Sequence, residues 1–129
     1  MTQSSQHPRR ALIVEDEFVI ALDLETAVSE FGFEVCDLAS TADTARMLAM
    51  DHRPDIVLMD VNLCGGREGI EAARWLRDVC GTPIVFVTSY TDRTTVERIH
   101  SQVPGAQVLP KPVPREALGR AVANAMSIG

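Results

Sequence analysis

Three acids, a hydroxyl and an amine each stand just behind a short apolar run in this 129-residue chain. Glu15 and Asp16 follow Ala11-Leu12-Ile13-Val14, and Asp60 follows Ile56-Val57-Leu58-Met59. Thr88 follows Pro83-Ile84-Val85-Phe86-Val87, and Lys111 stands just beyond Val108-Leu109. Carboxylates gathered at one point repel one another, and ionising all of them is unfavourable without a cation. An all-oxygen donor set suits Mg2+ (or Mn2+), which takes one or two carboxylates and keeps several waters. A carboxylate can also attack phosphorus to give an aspartyl phosphate. Phosphoryl transfer needs its equatorial oxygens neutralised by metal and by fixed donors. The Thr88 hydroxyl and the Lys111 ammonium are donors of that kind.

The runs that carry these groups are apolar throughout and rich in β-branched residues, the pattern of parallel strands buried on both faces. Helical stripes lie between them. Residues 17–31 set Ile20, Leu24, Ala27, Val28 and Phe31 on one face, and Gly32 ends that helix in the left-handed position. Residues 33–39 read as a second strand, with Phe33, Val35 and Cys36 against Glu34 and Asp37. Thr41 is placed to cap a helix to Met50 with Ala45, Leu48 and Ala49 inward, broken by Arg53-Pro54-Asp55. Gly65 and Gly66 mark a loop. Residues 68–79 predict a helix burying Ile70, Ala73 and Leu76, stopped by Gly81-Thr82-Pro83. Asp92 is placed to cap a helix to Gln102, with Val96, Ile99 and Val103 to bury and Pro104-Gly105 to end it. Pro114 suits the first position of a last helix, whose apolar face is Ala117, Leu118, Ala121, Val122 and Ala125.

Five strands alternating with five helices require a parallel sheet covered on both faces, an α/β architecture. Right-handed crossovers leave few strand orders, and the flavodoxin-like, doubly wound order 2-1-3-4-5 is expected. Strands 1 and 3 are then neighbours, so Glu15, Asp16 and Asp60 converge at the carboxyl edge, where open parallel sheets carry their function. No repeat or linker divides the chain. Residues 1–9 read as a polar N-terminal extension and residues 10–127 as one domain.

A net charge of −6 argues against a nucleic-acid surface, which would be basic. The cysteines, Cys36, Cys64 and Cys80, are odd in number and lack CxxC spacing. Reduced thiols are expected, with no disulfide framework or zinc site. No apolar stretch approaches the roughly 20 residues of a membrane helix, and nothing at the start marks a signal peptide. A soluble, cytoplasmic protein is expected.

Val14-Glu15-Asp16-Glu17, Leu58-Met59-Asp60-Val61-Asn62, Val87-Thr88-Ser89 and Lys111-Pro112 together resemble the signatures of the receiver domain of bacterial two-component response regulators. The match runs in order from about Arg10 to Met126, and the ordered set is far more specific than any one motif. The resemblance implies that Asp60 accepts a phosphoryl group from a phosphohistidine on a sensor histidine kinase. Glu15, Asp16, Asp60 and the backbone carbonyl of Asn62 would hold Mg2+, while Thr88 and Lys111 would bind the phosphoryl oxygens. It also implies a cis bond before Pro112. With the chain stopping soon after its last helix, a stand-alone receiver is expected. It would signal through the strand 4–helix 4–strand 5 surface to a downstream protein, as a monomer or a phosphorylation-dependent homodimer. The alternative roles are phosphorelay intermediate, exchanging with a phosphotransfer protein, or phosphate sink. Only self-phosphotransfer and autodephosphorylation are expected, with no nucleic-acid or membrane partner.

One position departs from the family pattern. Most receivers carry Tyr or Phe three residues before the lysine, where this chain has Val108. Phe86-Val87-Thr88-Ser89-Tyr90 partly resembles a Phe-x-Thr-Gly-x-Tyr-like alphaproteobacterial subgroup, with Ser89 in place of Gly and the tyrosine one residue early. Tyr90 and Ser89 are therefore the candidate switch or gating residues.

Plainer readings stand beside these. Asp16 could cap the first helix, Asp60 could be a surface loop acid, and Thr88 a strand-end hydroxyl. Lys111 could be an ordinary solvated lysine and Tyr90 a loop aromatic. Trp75 reads as helix-packing surface, and His7, His52 and His100 show no pairing that implies catalysis. An aspartate-nucleophile phosphohydrolase on a similar fold is the rival function. Such enzymes carry a second Asp two residues past the nucleophile, where this chain has Asn62.

Overall fold

The computed structural model describes residues 8–63 and 68–128. Along the chain run β1 (Arg9–Val14), α1 (Phe18–Glu30), β2 (Phe33–Ala39), α2 (Ala42–His52) and β3 (Ile56–Met59). They are followed by α3 (Glu68–Trp75), β4 (Ile84–Thr88), α4 (Arg93–Gln102), β5 (Gln107–Pro110) and α5 (Arg115–Ile128). The strands form one parallel sheet in the order β2-β1-β3-β4-β5, the expected arrangement. The loop expected at Gly65 and Gly66, Cys64 and His7 lie outside the described residues.

Successive residues of a strand point to opposite faces, which is why the central strands are apolar without alternation. Leu12, Val14, Val57, Met59 and Phe86 pack with Ala45, Ala49, Ile70, Ala73, Leu76 and Ile99 of α2, α3 and α4 and the turn beyond α3. Their neighbours Ala11, Ile13, Ile56, Leu58, Val85 and Val87 face Ala21, Leu24, Val28, Leu118, Ala121 and Val122 of α1 and α5. The strand ends at the carboxyl edge are thus held from both sides.

The N-caps of α2 and α4 fall where the sequence puts them. Thr41 accepts from Thr44 N–H at 3.1 Å, and Asp92 accepts from Thr95 N–H at 3.0 Å. Gly32 closes α1 with φ +90, a conformation that costs a side chain but not glycine. Several local expectations need correction. The N-cap position of α1 falls on Glu17, not Asp16. Phe31 is not on the buried stripe: the helix ends at Glu30, so Phe31 leaves the helical phase and lies 40% exposed, while Ala21 fills the core. The helix after β3 does not stay α-helical to Val79. It widens into a π-helical turn, Leu76–Cys80, before Gly81, and Val79 is left exposed. In α4 the buried polar position is Thr95, and Val96 is only half-buried. Leu48 of α2 is likewise half-buried, and Ala42 joins Ala45 and Ala49 inside. Arg9, assigned to the extension by sequence, pairs with Phe33 and belongs to the sheet. Among the described residues no helix is long and apolar enough to cross a membrane.

Candidate functional site

The carboxyl edge of the sheet gathers the groups that sequence placed behind four separate runs. β1 and β3 are adjacent, with Val14 opposite Met59. The residues that follow them are tied by backbone: Asp60 N–H donates to Val14 C=O at 2.9 Å, and Glu15 N–H to Ala39 C=O at 2.8 Å. Lys111 N–H donates to Thr88 C=O at 3.0 Å, so β5 ends level with β4. The Lys111–Pro112 peptide bond is cis.

Glu15 and Asp60 are buried, at 3% and 5% exposure, and Asp16 is exposed. One oxygen from each of these carboxylates lies within 4.8 Å of the others. The Lys111 ammonium sits between the two buried acids, 2.7 Å from Glu15 Oε1 and 3.2 Å from Asp60 Oδ2. Glu17 N–H donates to Glu15 Oε2 at 3.1 Å, and Asn62 N–H donates to Asp60 Oδ1 at 3.2 Å. Both oxygens of each buried acid are therefore oriented.

Burial pushes the Glu15 carboxyl up to about 7, with the Asp60 charge adding to the rise. The Lys111 hydrogen bond and the Glu17 N–H pull the other way without cancelling it. For Lys111 burial works against the charged form, but contact with Glu15 and Asp60 outweighs it and raises the ammonium above its ordinary value. Whenever both buried acids are ionised, the single ammonium leaves the pocket with excess negative charge, and Asp16 stands beside them at the rim. Hard oxygen donors this close together, partly compensated by one lysine, fit a small divalent cation such as Mg2+. Asn62 Oδ1 is buried and has no hydrogen-bond partner among the described residues.

Thr88 is fully buried, and its Oγ1 accepts from Tyr90 N–H at 2.9 Å. Tyr90 itself is 45% exposed. Ser89 and Lys111 line an open cavity of about 540 Å3 between α1 and α5. Val108 lies opposite Phe86 and packs, half-buried, on the face covered by α4. It carries no aromatic ring there. The acids, Asn62, Thr88 and Lys111 are thus brought together, and the Tyr90 backbone N–H is tied to them through the Thr88 hydroxyl. Sequence reasoning missed that Glu15 is the nearer partner of Lys111. The signal was the position of Glu15 on the last buried turn-off from β1, one residue before the chain reaches solvent.

Residues 11–123 match the family described as the response regulator receiver domain. The chain belongs to that family. Receiver domains bind Mg2+ through acidic residues, and this one gathers three. Among curated proteins it is 42% identical over 91 residues to the transcriptional regulatory protein PdtaR of Mycobacterium tuberculosis, covering 70% of this chain and 44% of that protein. It is 37% identical over 83 residues to the phyllosphere-induced regulator PhyR of Methylorubrum extorquens, covering 64% of this chain and 31% of that one. The polar-differentiation response regulator DivK of Brucella anthropi is 30% identical over 95 residues, with 71% of this chain and 76% of DivK covered. The chain therefore spans less than half the length of the first two relatives. Among solved structures, the receiver domain of a modulated diguanylate cyclase from Desulfovibrio desulfuricans superposes with a TM-score of 0.84 at 34% identity, covering 95% of this chain and 96% of that one. The receiver domain of PhyR from Erythrobacter litoralis gives 0.81 at 25% identity, with 93% and 91% covered. The chain is a receiver of two-component signalling with the doubly wound fold expected of it.

Proposed function

We propose that Asp60 is the phosphoacceptor of a Mg2+-dependent switch charged by the phosphohistidine of a sensor histidine kinase. The observation that carries this reading is the Lys111 ammonium, held within 3.2 Å of Asp60 and 2.7 Å of Glu15 at the end of the central strands. An Asp60 oxygen forms the new P–O bond as the P–N bond to the donor imidazole breaks, and the bonding pair leaves with the imidazole nitrogen. Asn62 N–H holds Oδ1 of Asp60, so the acid meets phosphorus in a fixed orientation. Lys111 pairs with the charge that accumulates on the phosphoryl oxygens. A hydroxyl that accepts one hydrogen bond keeps its proton to donate, and Thr88 offers that proton from the end of β4. Glu15, Asp16 and Asp60, with the Asn62 carbonyl, would hold Mg2+, which when bound neutralises phosphoryl oxygens.

The signal leaves through β4 and α4. Tyr90 N–H is bonded to the Thr88 hydroxyl, and Asp92 two residues on caps α4. Drawing the Thr88 hydroxyl toward a phosphoryl group pulls on this segment, so Tyr90 and Ser89 report the charge state where Val108 cannot. A downstream protein reads that surface. The test is incubation with Mg2+ and acetyl phosphate followed by intact mass measurement. The native protein should gain one phosphoryl group and Asp60→Asn none; equal labelling of the two would overturn the assignment.

A further inference from the structure

Gly69, in the first turn of α3, is buried, and its N–H donates to Val61 C=O at 3.0 Å. A Cβ built on it would stand 1.9 Å from Asp60 O, 2.9 Å from Asp60 C and 2.8 Å from Val61 O. All of these are main-chain atoms of the strand end that bears the phosphoacceptor, and they cannot swing aside as a side chain can. The strand has no slack on its other side, because Asp60 N–H is bonded to Val14 C=O. We infer that Gly69 is a positioning residue: having no side chain, it lets α3 press on the Asp60–Val61 peptide, and that contact sets where the Asp60 carboxylate and the following Asn62 stand relative to Glu15 and Lys111.

The inference rests on the phosphoacceptor reading of Asp60 and says what holds that residue in register. Any side chain at position 69 must push α3 outward or rotate the Asp60–Val61 peptide. Rotation of that peptide moves the Asn62 N–H that holds Asp60 Oδ1. A displacement on the order of 1 Å at a reacting group can cost up to about a hundredfold in rate.

A second glycine supplies the control. At Gly119 of α5 an added Cβ would stand 2.7 Å from the Phe31 ring, an exposed side chain that can yield. Gly119 lines a groove with Arg9 and Phe33, at the opposite edge of the sheet from the acids. Gly69→Ala and Gly119→Ala are compared with the native protein in thermal melting, Mg2+ titration and the initial rate of labelling by acetyl phosphate. Gly69→Ala should melt lower, whereas Gly119→Ala, where a yielding ring and a gain in helix propensity oppose each other, should melt close to the native protein. Only Gly69→Ala should weaken Mg2+ binding and slow labelling, each by about tenfold or more, with Gly119→Ala within about twofold of native. Equal effects of the two variants on Mg2+ and labelling would overturn the inference. Failure of the native protein to be labelled would instead overturn the phosphoacceptor reading. Should Gly69→Ala not fold, the native protein still decides by NMR: the Gly69 amide should shift along the Mg2+ titration with the same midpoint as Asn62. A Gly69 resonance that stays still while Asn62 moves would overturn the inference.

Discussion

Glu15→Gln should make this protein more stable and less functional, and the pH at which it does so follows from the site. Burial raises the folded-state pKa of Glu15 from the ordinary 4.5 to about 7. The folded form therefore holds a proton that the unfolded chain has released across that interval. Stability is then lost as pH rises from the unfolded to the folded value, and the full penalty applies above about pH 7. At 1.36 kcal/mol per unit, the interval corresponds to about 3 kcal/mol. Glutamine has the shape of the protonated acid and no charge to bury. In the absence of divalent ions, Glu15→Gln should match the native protein near about pH 5 and exceed it by up to about 3 kcal/mol near about pH 8. Urea denaturation with a chelator present, run at both pH values, measures this. Adding Mg2+ should reverse the order at the higher pH, because the proposed cation site uses the carboxylate that the variant lacks. The native protein should also bind Mg2+ more weakly as pH falls below about 7, by up to tenfold per unit. Equal stabilisation by Glu15→Gln at both pH values would refute the argument, as would equal Mg2+ stabilisation of variant and native protein.

Other expectations follow from single contacts. Lys111→Ala leaves Glu15 and Asp60 facing each other without a cation. Its cost should stay below about 3 kcal/mol near neutral pH, because Glu15 can take up a proton, and should grow as pH rises; chelator-treated samples melted at several pH values test this. Thr88→Ala removes the acceptor for Tyr90 N–H and should cost about 1 kcal/mol. It should still accept phosphate at Asp60 while the Tyr90 amide loses its phosphorylation-dependent NMR shift. Asp92→Ala removes the carboxylate that accepts from both the N–H and the hydroxyl of Thr95 and should cost about 1 kcal/mol in urea denaturation, with raised hydrogen exchange confined to the first turn of α4.

Much of the architecture is legible in the chain because burial on both faces leaves an unmistakable mark. Ile56-Val57-Leu58-Met59 has no polar partner in its alternation, and such a run can only be a central parallel strand once helices flank it. Thr41 and Asp92 announce their helices because a short side-chain oxygen before a helix has a defined backbone partner. The positions of Glu15, Asp16, Asp60, Thr88 and Lys111 behind their strands follow from the same rule, since parallel strands all end at one edge.

Elsewhere local pattern misleads. Helical periodicity reports a face, not where the last turn ends, so Phe31 looked buried and lies half in solvent. Nothing local reveals that the helix after β3 widens into a π-helical turn at Leu76, beside the contacts of Arg74 with Gln102 at the end of α4 and of Arg77 with Pro104 beyond it. The sequence by itself determined which residue types reach the carboxyl edge, because strand length and strand order are written in apolar runs. Only the tertiary structure decided that Lys111 leans first on Glu15, that Glu15 titrates near neutrality and that Gly69 bears on Asp60. Those are properties of distances between segments remote in the chain, and electrostatic and steric energies depend on such distances rather than on composition.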